Sequence, residues 1–334
     1  MILVTGGTGM VGAHLLYFLL KKGLPVRAIH RKDSNLSAVK NIFSLYTSDP
    51  NIYFEKIDWV EADIIDIPTL TEAFEGIEYV YHCAAFVSFD PSKYRQLKKI
   101  NVEGTANIVN LCLAKSVKKL CYVSSVSTFG KAVSGKLINE STSWNPEVKN
   151  NVYSITKYGA EMEVWRGTQE GLDAVIVNPG VILGISPDSD GSGALIDLCT
   201  KGVSFYPSGS TGIVDVQDVV KAMILLMDSD IKTQQYILVG ENISYKNLLS
   251  QFAFLFGNKP PKRKLPKTLM LFLSNIEGVF RFIFRGERKL AKATVRSMFN
   301  NSFYDASKIK NELGFEFTPA TETIKRIAEN KKST

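Results

Sequence analysis

The stretch Val4-Thr5-Gly6-Gly7-Thr8-Gly9-Met10-Val11-Gly12 constrains this chain more than any other. Apolar Ile2-Leu3-Val4 runs into it. Val11, Leu15, Phe18 and Leu19 leave it at helical spacing, and Lys21, Lys22 and Gly23 close the pattern. The order is strand, glycine turn, helix. Glycines at 6, 9 and 12 remove the Cβ atoms that would block a tight turn, a phosphate approach and close helix packing. The helix N-terminus then offers backbone N–H groups and the positive end of a dipole to a pyrophosphate. Gly7, Gly9 and Gly12 also satisfy G-x-G-x-x-G, so the glycines alone do not separate the dinucleotide-binding variants. Thr5, Gly6, Gly9, Met10, Val11 and Gly12 become candidate cofactor-binding residues, with a purely structural glycine turn as the alternative.

At 334 residues the chain exceeds the usual ~100–200 of one domain, so one large domain or two interlocked ones are expected. A 45% apolar content supports a substantial core. The first strand begins at Ile2, which leaves no room for a signal peptide before it, and a cytoplasmic protein is expected. Cys83, Cys112, Cys121 and Cys199 are scattered without a C-x-x-C, so free buried thiols are expected. His14, His30 and His82 lack metal-ligand spacing, and no metal is expected. The net charge of +7 suits an anionic cofactor, substrate or membrane surface and does not argue for nucleic acid.

Along the chain, Pro25-Val26-Arg27-Ala28-Ile29-His30 reads as the second strand. Its end faces the adenine ribose in a dinucleotide fold, where an acidic residue would accept from the 2′-OH of NAD. His30-Arg31-Lys32 stands there instead. Two cations suit a 2′-phosphate, which favours NADP over NAD; a solvated loop of charges is the alternative. Residues 36–47 read as helix, and 57–62 as the third strand. Asp63 follows, placed to accept from the adenine amino group. Pro68 starts a short helix to Phe74. Tyr79 to Ala85 is the fourth strand and its exit, where small Ala84 and Ala85 would let backbone approach a cofactor.

A helix is expected over about 92–115. Asn101 and Gly104 are poor helix-interior residues, so a packing or binding reason is expected for them. Lys119 to Ser124 is the fifth strand, ending at Ser124-Ser125. The long loop after it, with Gly130, Gly135 and Pro146, reads as functional. Tyr153 and Lys157 open the next helix on one face. Leu172 to Asn178 is the sixth strand, leading into Pro179-Gly180. This alternation implies an α/β fold with a parallel, doubly wound, Rossmann-type sheet. Beyond it, 184–193 reads as loop, Val214 to Asp218 as the start of a helix, 235–239 as a strand returning to the sheet, and 244–256 as helix.

Together the Gly6–Gly12 turn, Asp63, Ala84-Ala85, Asn101-Val102-Glu103-Gly104-Thr105, Ser124-Ser125, Tyr153 with Lys157, and Asn178-Pro179-Gly180 resemble the extended short-chain dehydrogenase/reductases of the NAD-dependent epimerase/dehydratase superfamily. Val214 to Val219 and Tyr304 to Lys308 with Glu312-Leu313-Gly314 look like C-terminal signatures of that family. The resemblance implies a catalytic Ser125, Tyr153 and Lys157. Tyr153 would exchange the proton at the substrate oxygen; its unperturbed pKa of ~10 is too high for a base at neutral pH. Lys157 beside it, with the cationic nicotinamide, would favour the phenolate, and would also hold the nicotinamide ribose. Ser125, five residues before Gly130, would polarise the substrate carbonyl or alcohol. The resemblance further assigns Ile64, Asn101, Ser124, Pro179, Gly180 and Val181 to the cofactor, and Val87, Phe129 and Asn178 to a small-molecule substrate.

Val26 to Arg31 and Asn178 to Gly184 look most like the dihydroflavonol-reductase-like and 3β-hydroxysteroid-dehydrogenase-like group. That implies an NADP(H)-dependent reductase or dehydrogenase acting on a carbonyl or secondary alcohol of a small, apolar substrate. Plant dihydroflavonol reductases carry a substrate-binding asparagine at the place of Gly130, so a flavonoid substrate is not expected. Dehydratases usually add an acid pair beside the catalytic serine; Val126-Ser127-Thr128 has none. Epimerisation of a sugar nucleotide by tightly held NAD is the alternative, and a catalytically silent cofactor-binding regulator a third reading.

The expected division is a dinucleotide-binding domain over 1–180 and 213–240 and a smaller, mostly helical substrate domain over 181–212 and 241–330. Thr268 to Phe284 carries Leu269, Phe272, Leu273, Ile276, Phe280, Ile283 and Phe284 at helical spacing, between Lys262, Arg263, Lys264 and Lys267 and Arg285, Arg288 and Lys289. It is short of the ~20 apolar residues of a membrane span. A substrate lid is expected; a homodimer face and a peripheral membrane contact through 262–289 are the alternatives.

Overall fold

A computed structural model describes residues 1–131, 136–187, 192–274 and 292–333. Strand β1 (Ile2–Thr5) is buried throughout, as a central parallel strand must be. After the glycine turn come α1 (Met10–Lys21), β2 (Val26–His30), α2 (Leu36–Phe43), α3 (Asn51–Phe54), β3 (Asp58–Glu61), α4 (Ile67–Ala73) and β4 (Tyr79–His82). The expected helix over 92–115 is not one regular helix. It contains α5 (Tyr94–Leu97), a π-helical stretch over Lys98–Glu103, and α6 (Gly104–Ala114). Then follow β5 (Lys119–Val123), α7 (Val152–Gln169) and β6 (Ala174–Pro179).

Seven strands form one parallel sheet in the order β10-β6-β5-β4-β1-β2-β3, with β10 at Gln234–Leu238. Successive side chains point to opposite faces. Val4, Ala28 and Val177 pack with Leu15, Leu16 and Leu19 of α1 and with Val219, Met223 and Leu226 of the later helix at Val216–Asp228. On the other face Leu3, Val80, Leu120 and Ile176 pack with Ile108 and Val109 of α6 and Ala160 and Val164 of α7.

The C-terminal half adds β7 (Val181–Leu183), α8 (Ser192–Thr200), β8 (Phe205–Tyr206), β9 (Ser210–Asp215), α9 (Val216–Asp228), β11 (Glu241–Ser244), α10 (Tyr245–Leu255), β12 (Arg263–Lys264), α11 (267–274), α12 (Lys292–Met298), α13 (Ser307–Leu313) and α14 (Ala320–Ser333). β9 pairs with β7 in parallel and with β11 in antiparallel, a second sheet that sequence periodicity missed. Val214 and Asp215 were expected to open a helix; they end β9 instead. The β-branched Ile213-Val214 pair suits a strand, and Asp215 caps α9, accepting from the Gln217 backbone N–H at 2.8 Å. Of the expected apolar helix, 267–274 is helical, with Leu269, Phe272 and Leu273 exposed and Met270 buried. Ile276, Phe280, Ile283, Phe284, Arg285, Arg288 and Lys289 lie outside the described residues, as does Gly135. Among the described residues no helix is long and apolar enough to cross a membrane.

Asp215 also ties α14 to β9. Its buried carboxylate accepts from Thr323 Oγ1 at 2.6 Å and pairs with the Arg326 guanidinium. Asp215→Ala removes the cap and the carboxylate shared by Thr323 and Arg326. It should lower folding stability by about 2–3 kcal/mol, below the ~3–5 of a fully buried pair because Arg326 reaches solvent. Equilibrium urea unfolding measures this; a loss under about 0.5 kcal/mol would refute the clamp.

Candidate active site

All strands of the main sheet run the same way, so Thr5, His30, His82, Val123 and Pro179 end on one edge. β1 lies between β2 and β4, the point where the strand order reverses, which is where such sheets bind ligands. The glycine turn is built for that place. Gly6 has φ +66°, and a Cβ on it would lie 2.6 Å from the Ala84 nitrogen. A Cβ on Gly12 would lie 2.1 Å from the Gly6 carbonyl oxygen, so α1 starts hard against the end of β1. Gly9 differs. The nearest chain atom to its Cβ position is the Gly6 oxygen at 3.4 Å, so the space beside it is a cradle that a side chain would fill. Gly9 is the N-cap of α1, no side chain caps that helix, and its first turn holds no acidic residue. This end of α1 fits an anionic dinucleotide.

Behind the turn runs a chain of buried polar groups. Thr5 Oγ1 accepts from the Ala84 backbone N–H at 3.2 Å and is hydrogen-bonded to His82 Nδ1 at 2.6 Å. His82 Nε2 in turn is hydrogen-bonded to Thr105 Oγ1 at 3.0 Å. Burial depresses the imidazole to about 3, so it stays neutral. Thr105 bonds the Tyr122 hydroxyl, which accepts from Lys157 Nζ at 2.6 Å.

The π-helical stretch explains its unusual residues. Asn101 Oδ1 accepts from the Phe86 N–H at 2.8 Å, and its Nδ2 donates to the Phe86 carbonyl at 3.0 Å and to Thr156 Oγ1 at 3.2 Å. It clamps the exit of β4 to α7. Gly104 lets Ile64 pack where a Cβ would come within 2.6 Å of it.

Ser125 follows β5, and Tyr153 and Lys157 sit in the first turns of α7, capped by Asn151, whose side chain accepts from the Ser154 N–H. Tyr153 is half-buried, and its hydroxyl hydrogen-bonds Ser125. Burial pushes the phenol up to about 12, against the opposing pull of that bond. The expectation that Lys157 favours the phenolate concerns the site with the cationic nicotinamide in place. The Lys157 ammonium is turned to Tyr122 and to the Val123 carbonyl at 2.8 Å, and its own burial drives it down to about 7.

Ser124, expected at the cofactor, is buried and donates to Glu161 Oε2 at 2.5 Å. Asn178, expected to touch substrate, is also wholly buried. Its Nδ2 donates to Glu161 Oε2 at 2.9 Å, Thr128 Oγ1 at 3.1 Å and the Ser125 carbonyl at 3.3 Å. Val87 is exposed, whereas Phe129 packs partly on Ile237, Val239 and Ala306. Phe89, which the sequence reading passed over, stands edge-on to Tyr153 at 5.4 Å between ring centres. A large apolar residue a few positions after a strand exit was its only sequence signal.

On the adenosine side, Arg31 and Lys32 are exposed just past β2, and His30 leans its ring edge on Trp59. Asp63 Oδ1 accepts from the Ile65 N–H at 3.1 Å, which shapes the exit of β3, and Ile64 is buried beneath it. Ala85 is exposed past β4. Pro179 ends β6; Gly180 passes so close to β9 that a Cβ would lie 2.5 Å from the Gly212 oxygen, and Val181 begins β7. Met10 and Val11 begin α1, beside Gly9. Gly130 also has no room for a side chain: a Cβ would meet the Ser143 oxygen at 2.1 Å.

Residues 2–240 match the model of the NAD dependent epimerase/dehydratase family. A protein of Synechocystis sp. described as a putative dihydroflavonol 4-reductase is 30% identical over 318 residues, covering 93% of this chain and 88% of that one. Sterol demethylase protein B of Methylococcus capsulatus is 28% identical over 317 residues, 93% of this chain and 92% of its own. The crystal structure of a UDP-glucose 4-epimerase of Thermotoga maritima superposes with a TM-score of 0.78 at 20% identity, over 99% of this chain and 98% of that one, a likeness of fold. The chain therefore belongs to the NAD dependent epimerase/dehydratase family and is an NAD(P)-dependent oxidoreductase of the extended short-chain dehydrogenase/reductase type.

Proposed function

We propose that this protein is an NADPH-dependent reductase that converts a carbonyl of a small apolar substrate to a secondary alcohol, using Ser125, Tyr153 and Lys157. The carrying observation is Tyr153, whose hydroxyl is bonded to Ser125 and whose ring meets the apolar ring of Phe89 edge-on. A phenol held near 12 keeps its proton at neutral pH, so it is set to give one to a nascent alkoxide. Ser125 donates to the same oxygen and orients the carbonyl. Lys157 stabilises the phenolate that remains. Reductases among the relatives support the class: a tetraketide alpha-pyrone reductase of Arabidopsis thaliana is 29% identical over 78% of this chain. The closed space at Gly130 supports a substrate other than a flavonoid held by an asparagine there.

The hydride comes from the nicotinamide ring when NADPH is bound. The α1 N-terminus and Gly9 would hold the pyrophosphate, Arg31 and Lys32 the 2′-phosphate, and Lys157 the ribose hydroxyls. Sugar-nucleotide epimerisation is the competing outcome: purified protein would then retain NAD and convert a UDP-sugar with no net redox change. The deciding experiment is a panel of aldehydes and ketones followed by NADPH oxidation, and stoichiometric consumption is expected.

In that assay Tyr153→Phe should lower turnover by roughly 10²–10⁴-fold with cofactor affinity nearly intact; equal activity would rule out Tyr153 as the acid. The pH dependence has a definite sign. Tyr153, near 12, keeps its proton across the working range, while Lys157, near 7, loses its charge as pH rises. Reductase kcat/KM should be level below pH ~6 and fall through about 7; a rate that climbs into alkali would contradict this assignment. Arg31→Ala should narrow the preference for NADPH over NADH by about 1–3 kcal/mol, the scale of a charge-assisted hydrogen bond. Tighter binding of NADH to the wild type, by fluorescence titration, would reverse the cofactor assignment.

A further inference from the structure

Glu161 takes no part in the steps above. It stands one turn beyond Lys157 on α7, so Tyr153, Lys157 and Glu161 recur at four-residue intervals on one face. Glu161 is 4% exposed and Lys157 1%, so both lie in the interior, one helical turn apart. Glu161 Oε2 accepts from Ser124 Oγ at 2.5 Å and from Asn178 Nδ2 at 2.9 Å. Asn178 in turn donates to Thr128 Oγ1 and the Ser125 carbonyl. One carboxylate oxygen thereby joins α7 to the ends of β5 and β6 and to the turn that carries Ser125. A neutral amide could accept both bonds without the cost of burying a charge, so the charge calls for its own account.

The groups around Lys157 Nζ supply one. They are Tyr122 and Val123 on β5, His82 and Cys83 at the end of β4, and Tyr153 and Glu161 on its own helix. Burial keeps the His82 imidazole and the Cys83 thiol neutral near pH 7, and raises the Tyr122 and Tyr153 phenols. Glu161 brings the carboxyl group of this set.

We propose that Glu161 is a positioning residue that locks the Ser125 turn onto α7 and whose charge holds Lys157 as an ammonium. The proposal rests on the role given to Lys157 above. Glu161 is the leading influence that opposes the depression of Lys157 by burial.

Glu161→Gln tests it, because the amide oxygen can accept the same two bonds and only the charge is lost. In protein carrying ¹³C-labelled lysine, the Lys157 Cε signal, assigned with Lys157→Met, reports its protonation directly without any ligand. Its midpoint should fall by about one pH unit or more in Glu161→Gln and stay near the wild-type value in Glu161→Asp. The pH at which NADPH affinity is lost should move down with it. A purely structural Glu161 would weaken binding evenly at every pH, and an unmoved Lys157 midpoint in Glu161→Gln overturns the proposal. Should that variant not fold, Ser124→Ala carries the test. It strips a donor from the carboxylate and keeps the charge, so the midpoint should hold or rise, and a fall overturns the proposal. Absence of NADPH and NADH binding in the wild type would defeat the proposed function and leave the lysine titration standing as the test of Glu161.

Discussion

The close approach of Gly12 to the carbonyl of Gly6 is the contact on which the rest of the site depends. It seats the first turn of α1 on the end of β1, between the two strands that leave in opposite directions across the sheet. The same turn brings Gly6 against the backbone of Ala84 and lets Thr5 hold that residue's N–H. From Thr5 the bonds pass through His82, Thr105 and Tyr122 to Lys157. The phosphate end and the proton-transfer end of the cleft thus share one framework. Displacement of the turn would be felt at the lysine.

That framework is polar and buried, which fixes its energetics. Each satisfied bond contributes only ~1 kcal/mol net, but a buried group left without a partner costs about 1–3 kcal/mol. The network is therefore weakly stabilising as a whole and sharply intolerant of partial loss. Asn178 shows the limit: its Nδ2 has three acceptors, while its Oδ1 is buried without a partner. Rigidity here serves the geometry of Ser125 more than the stability of the fold.

The features legible in the sequence were those whose chemistry is local. Glycine spacing, the seven-strand rhythm and the pairing of Tyr153 with Lys157 each follow from a short stretch of chain. What escaped depends on partners far away in sequence. Asn178 and Ser124 looked like residues facing a ligand because they end strands at the right edge, yet Glu161 from another element turns both inward. The partners of Lys157 are hidden for the same reason: spacing reports that it shares a face with Tyr153, not that Tyr122 and the Val123 carbonyl hold its Nζ. β9 was lost because Val214-Asp215-Val216-Gln217-Asp218 carries a helix cap, and only pairing with β7 and β11 reveals that the cap closes a strand.

The Asp215 clamp also has a consequence in time. Thr323 follows Asp215 by 108 positions, so the carboxylate emerges long before the α14 side chains that receive it. At translation speeds of ~5–20 residues per second the interval is roughly 5–20 s. During it the carboxylate must stay hydrated, and the end of β9 cannot settle into its final dry surroundings. A newborn chain thus passes through a stage in which the α1 and α9 side of the main sheet can consolidate while the second sheet waits, open along the surface that α14 will cover, and that is the interval in which a chaperone has most to protect.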